Sequence, residues 1–69
     1  MTPEAFAAWR RQIQADPQQA GADLDQRILA LRRLLRVADR RDHAHIRDLI
    51  TDLNALRQLT IEQPQPIPP

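Results

Sequence analysis

Cysteine, lysine, serine and tyrosine are all absent from this sequence of 69 residues. Without cysteine, the chain has neither disulfide bonds nor thiolate zinc sites, two of the devices that stabilise small domains. Without serine, lysine and tyrosine, most common nucleophiles and several acid–base groups are missing. The single glycine excludes a glycine-rich phosphate loop. The sequence therefore predicts a protein that is not an enzyme and binds no cofactor and no small-molecule substrate.

Long apolar runs are missing as well, and the mean hydropathy of the chain is -0.57. A transmembrane helix needs about 20 consecutive apolar residues, so the sequence predicts no membrane span. The segment 1–4 lacks the basic start and the apolar stretch of a secretory signal. From these features we expect a cytoplasmic protein.

Scarcity of β-branched residues and abundance of alanine, leucine, arginine and glutamine indicate an all-α fold. Thr2 followed by Pro3 is typical of an N-cap and a first helical position, which predicts a short N-terminal helix over about 3–15. Apolar residues recur along it at spacings of three and four: Phe6, Trp9 and Ile13. Pro17 then ends this helix, because the residue before a proline is pushed out of helical geometry.

A connector is predicted for residues 16–22, which contain the only glycine. Asp23 is the expected N-cap of a second helix over 23–38, with Gln26 three residues later in capping-box position. The apolar stripe of this helix steps by four and three residues: Leu24, Ile28, Leu31, Leu35 and Ala38. Neighbouring apolar residues widen the stripe to about half of the helix circumference, which favours contact with two neighbours.

A second stripe predicts a third helix over 43–61 and contains Ile46, Leu49, Ile50, Leu53, Leu56 and Ile61. The stepping of the first stripe, continued past Ala38, meets Asp42 and His45, which are poor core residues. We therefore expect an antiparallel helical hairpin that reverses at residues 39–42, with Asp42 capping the last helix. The alternative is one long helix from residue 23 to about 62 in a coiled coil with a stutter, which the lack of glycine and proline near residue 40 favours.

A single helical domain is expected over 1–62, followed by an extended proline-rich tail over 63–69. So short a chain has little core of its own, and two hairpins packed face to face would form a four-helix bundle, so we expect a homodimer. The predicted core or oligomer interface consists of Leu24, Ile28, Leu31, Leu35, Ile46, Leu49, Ile50, Leu53 and Leu56.

Two groups of side chains are candidates for binding a partner. Four arginines lie opposite the leucines of the second helix: Arg32, Arg33, Arg36 and Arg40. Such a face is most often solvated, but it also suits an acidic protein or a phosphate backbone. Phe6 and Trp9 either hold the first helix against the hairpin or form a hot spot for a partner. His43 and His45 lack the spacing of four residues that helical zinc sites use, so no metal site is predicted.

Apolar surface in excess of what one short chain buries, with no catalytic chemistry beside it, predicts a protein-binding adaptor or inhibitor. Such a protein would dock on a larger protein and regulate or escort it. In size and layout alone, the chain is comparable to phage-encoded inhibitors, secretion co-chaperones and small plasmid regulators. The alternatives are a small dimeric nucleic-acid-binding regulator that uses the arginine-rich helix face, and a structural subunit of a larger assembly.

Overall fold

Three α-helices and no strand make up residues 1–62, the part of the chain that the computed structural model describes. Helix α1 spans Pro3–Ala15, α2 spans Pro17–Val37 and α3 spans Arg40–Glu62. Helices α2 and α3 form an antiparallel hairpin, and α1 packs against both. The all-helical prediction is confirmed. The tail predicted for 63–69 lies outside the described residues.

The hairpin reverses at residues 38 and 39, between the end of the first apolar stripe at Ala38 and Asp42, where its stepping of fours and threes fails. Ala38 is extended, with φ -74 and ψ 153, and its N–H donates to the Leu34 carbonyl at 2.8 Å. A ring nitrogen of His43 lies 3.0 Å from the Ala38 carbonyl, which ties the start of α3 to the end of α2. No residue in 1–62 has positive φ, so this turn needs no glycine. The alternative of one long helix is therefore wrong.

The beginning of α2 differs from the prediction, because residues 17–22 are helical rather than a connector. The N-cap is Asp16, whose Oδ1 accepts a hydrogen bond from the Gln19 N–H at 3.2 Å. Pro17 follows at the first helical position, where its missing N–H costs nothing. Asp23, the predicted cap, lies within α2 and accepts a hydrogen bond from the Gln19 side chain at 3.1 Å.

Helix α3 begins two residues before its predicted cap. Asp42 lies in the first turn of α3, and its N–H donates to the Asp39 carbonyl at 2.9 Å. A carboxylate in the first turn interacts favourably with the positive end of the helix dipole in much the same way as a capping carboxylate does. The prediction that Asp42 caps the last helix is therefore wrong, because α3 begins at Arg40, three positions before the predicted first residue 43.

The core lies where all three helices meet. Ile13 of α1, Leu24 of α2 and Leu56 of α3 have 1%, 0% and 0% of their surface exposed. The other buried members of this cluster are Ala20, Ile28 and Leu53. Gly21 is also buried, and a Cβ atom there would lie 3.0 Å from Nη1 of Arg57. The absence of a side chain at residue 21 leaves space for the Arg57 guanidinium beside α2.

Replacing Leu56 by alanine tests this core. We expect the free energy of unfolding to fall by about 2–5 kcal/mol, because the fully buried side chain leaves a cavity. The matched control is Ile61→Ala in the same helix, where the side chain is 66% exposed and the expected change is below about 0.5 kcal/mol. Urea unfolding followed by Trp9 fluorescence measures both, and equal losses in the two variants would contradict the assigned core.

The position of the α2 N-cap is tested by Asp16→Ala. Loss of the bond to the Gln19 N–H should lower the free energy of unfolding by about 0.5–2 kcal/mol. Asp16→Asn retains an acceptor oxygen and should preserve most of that stability. If Asp16→Ala were neutral while Asp23→Ala lost helix content by circular dichroism, the helix would begin at the later aspartate.

Candidate protein-binding surface

The nine predicted interface residues pack largely within a single chain. Five of them are buried: Leu24, Ile28, Ile46, Leu53 and Leu56. The other four are half-buried: Leu31, Leu35, Leu49 and Ile50. Because the three helices already cover most of these side chains, little of this apolar area is left for a second polypeptide. A docking surface must therefore be sought among the side chains that remain exposed.

Exposed large apolar side chains are concentrated on α2. Leu29 is 50% exposed, Leu34 is 47% exposed and Val37 is 82% exposed. At 100° per residue, Leu29 and Val37 lie about 140° from the fully buried Leu24 in opposite directions around the helix, whereas Leu34 lies about 80° from it. Helix α2 is thus apolar on its inner side, which packs against α1 and α3, and again on its outer side. A helix that is apolar on both sides is typical of one with a further neighbour.

Leu29 was not among the sequence-based candidates. Its spacing of five residues from Leu24 leaves the stripe of threes and fours, and that departure is the only signal the sequence offers. Leu34, Val37 and Ala30 are the neighbouring apolar residues that the sequence pattern predicts to widen the inner stripe. The structure leaves all three of them exposed, because α1 and α3 cover a narrower arc of α2 than the apolar residues span.

The four predicted arginines surround these apolar side chains and are all exposed. Within the described part of the chain, no carboxylate lies within 4.0 Å of Arg32, Arg33, Arg36 or Arg40. The one ion pair near the turn joins Arg41 to Asp39 at 4.0 Å, with both side chains largely exposed. We call the set of exposed apolar residues and arginines the distal surface: Leu29, Arg32, Arg33, Leu34, Arg36, Val37 and Arg40.

The two aromatic candidates are half-buried and pack against the core. The Arg27 guanidinium lies 5.3 Å from the centroid of the Trp9 ring, a cation–π arrangement that ties α1 to α2. This placement matches the interpretation that Phe6 and Trp9 hold α1 in place. An open groove of about 670 Å³ remains between α1 and α2, lined by Ala5, Ala8, Trp9, Gln12, Asp23, Gln26, Arg27 and Ala30.

A second side-chain cluster joins the far ends of α2 and α3. Nε of Arg57 donates to Oδ1 of Asp25 at 2.9 Å, and Nη1 of Arg57 contacts the Thr60 hydroxyl. The amino terminus of Met1 lies 3.2 Å from Oδ2 of Asp52, which fastens the start of α1 to α3. Both contacts use charges to hold helices of the same chain together, so neither group is free to bind a partner.

Other kinds of site find no support in residues 1–62. No group of three metal-binding side chains lies together in this range, and none of its helices has the length and apolar character of a membrane span. Comparison with known proteins adds no constraint, because no family model, no curated protein and no solved structure matches the chain. Function must therefore be argued from the distal surface itself.

Proposed function

We propose that this protein is a cytoplasmic, non-enzymatic adaptor or inhibitor that binds a larger protein through the distal surface. The observation that carries the proposal is the exposure of three large apolar side chains on α2: Leu29 and Val37 on its outer side, and Leu34 on its flank. Full burial of an aliphatic side chain contributes about 1.5–3 kcal/mol, so covering three partly exposed ones provides several kcal/mol of driving force. A cluster of this kind is more informative than single exposed apolar residues scattered over a surface.

Charge specifies the kind of partner. Residues 29–41 contain five arginines and one aspartate, and four of the arginines have no carboxylate partner in residues 1–62. Guanidinium groups pair with carboxylates through two parallel hydrogen bonds, which fixes orientation as well as adding attraction. An acidic surface with apolar side chains at its centre therefore complements the distal surface best.

Binding of this type changes a partner by covering part of its surface. A small helical chain can block a site on the larger protein, or it can escort that protein by shielding an apolar patch. Neither action needs chemistry in the chain itself, which suits a sequence without the common nucleophiles. The layout shared with phage inhibitors and secretion co-chaperones is compatible with both actions.

A nucleic-acid-binding role is the second candidate, and the arginines without carboxylate partners favour it. Phosphate contacts need clustered cations, which the distal surface has. The apolar side chains between those cations argue for a protein instead, since Leu29 and Val37 have no counterpart on a phosphate backbone. Aromatic side chains for base stacking are also missing among the exposed residues of α2.

The homodimer expected from the sequence remains part of this proposal, but its surface changes. The leucines and isoleucines predicted to join two hairpins are buried or half-buried within one chain. A second copy therefore has to use side chains that α1 and α3 leave exposed. The outer side of α2 offers the largest such set.

Capture of the partner by the immobilised full-length chain tests the proposed function. Val37→Asp and Arg36→Asp should each reduce the amount of bound protein by about tenfold or more, since they remove apolar contact or reverse a charge. Ile61→Asp is the matched control, because Ile61 is also an exposed aliphatic residue but lies on α3. Quantitative mass spectrometry compares the bound proteins across the four chains.

Two results would contradict the proposal. If all three variants retained the same bound proteins as the parent chain, the distal surface would not be the binding surface. If nuclease treatment removed everything that depends on Arg36, and binding fell steeply with added salt, the nucleic-acid role would replace the adaptor role.

A further inference from the structure

The open groove of about 670 Å³ between α1 and α2 faces away from α3. Asp23 lines this groove, whereas Asp25 pairs with Arg57 of α3, and residues two apart lie about 160° from each other around a helix. Three of the lining residues are alanines, and the fourth apolar one is Trp9, which is half-buried. Small side chains along a groove between two helices allow a third helix to approach closely, so the groove has the shape of a helix-binding site.

Two exposed apolar side chains continue the groove along α2. At 100° per residue, Leu34 and Val37 lie within about 30° of the average direction of the four α2 residues that line the groove. Leu34 is 47% exposed and Val37 is 82% exposed. From Asp23 to Val37 this surface is about 21 Å long, since a helix rises about 1.5 Å per residue. An incoming helix of about 14 residues would cover it.

Arg33 provides a free cation at the edge of this surface. It lies about 70° from the average direction of the groove residues and is exposed. In residues 1–62, no carboxylate lies within 4.0 Å of it. Two carboxylates border the groove elsewhere: Asp23 at its opposite end, and Glu4 next to Ala5 on α1. A carboxylate on the flank of an incoming helix that faces α2 would therefore meet a cation, whereas one that faces α1 would meet Glu4.

We propose that the groove and its continuation bind one amphipathic helix of the partner protein. The apolar side of that helix packs against Trp9, Leu34 and Val37, and a carboxylate on its flank pairs with Arg33. Such a charge-assisted pair beside an apolar contact fixes the register of the two helices.

The inference rests on the proposed function, because both use Arg33, Leu34 and Val37. It deepens that function by naming the binding element of the partner and by adding α1 to the surface. Leu29 and Arg36 are directed more than about 100° away from the groove and take no part in this contact.

A synthetic peptide tests both the helix and its charge. The probe is a tryptophan-free helix of about 14 residues, with leucines at spacings of three and four and glutamates along one flank. Its control carries glutamine in place of each glutamate. The chain has a single tryptophan, Trp9, and its emission reports occupation of the groove. Both peptides should shift this emission, and the Kd should be about tenfold or more lower for the glutamate peptide.

Two variants of the full-length chain locate the contact. Arg33→Gln should abolish the difference in Kd between the peptides, whereas Arg47→Gln, at an exposed arginine on α3, should preserve it. Ala30→Phe fills the groove and should raise the Kd of both peptides by about tenfold or more. Ala55→Phe enlarges an exposed alanine on α3 and should leave both Kd values unchanged. Because all four positions are exposed, circular dichroism should show folded proteins.

Three results would each overturn the inference: no shift of Trp9 emission with either peptide, equal Kd values for the two peptides, or unchanged binding to Ala30→Phe. None of them would overturn the proposed function, whose own test relies on Arg36, a residue outside the groove. Conversely, capture of larger proteins that is insensitive to Arg36→Asp and Val37→Asp would contradict the proposed function whatever the peptides do.

Discussion

The fold depends on one shared apolar cluster, in which Leu24 of α2, Leu56 of α3 and Ile13 of α1 are the most completely buried side chains. These three side chains have almost no exposed surface, and few others in this short chain are buried as completely. A chain of this size buries a smaller fraction of its surface than a larger domain does. Every helix must therefore supply side chains to one shared cluster. The two ends of the molecule are held by lighter contacts, among them the Arg57–Asp25 and Met1–Asp52 ion pairs.

The sharing of one core cluster by three helices explains why α2 is proposed as the partner-binding helix. Its inner side is used fully by α1 and α3, yet its sequence supplies apolar residues around most of its circumference. Leu29, Ala30 and Val37 are left over on the outer side, beside arginines that have no carboxylate partner in the described residues. The same helix thus stabilises the monomer through one side and offers a docking face through the other.

Much of the architecture follows from sequence patterns that have a direct physical cause. Thr2 and Pro3 located the start of α1 correctly, and the loss of phase at Asp42 and His45 predicted a reversal at residues 39–42, which the structure has at residues 38–39. The start of α2 was missed, because Asp16 with Gln19 and Asp23 with Gln26 offer the same capping pattern, and only packing selects between them. Gly21 suggested a connector, but this residue lies inside α2 with the Arg57 guanidinium beside it. Which residues of α2 stay exposed depends on where α1 and α3 pack, and no local sequence pattern predicts that packing.

We propose that the outer side of α2 is a docking face, which a second copy of the chain can occupy. Thermal unfolding as a function of protein concentration tests this self-association, since association of folded chains makes Tm depend on concentration. Tm should rise steadily with concentration for the parent chain, and much less for Val37→Glu. A Tm that stays constant for the parent chain over the whole accessible range of concentrations would show that the folded chains do not associate through this face.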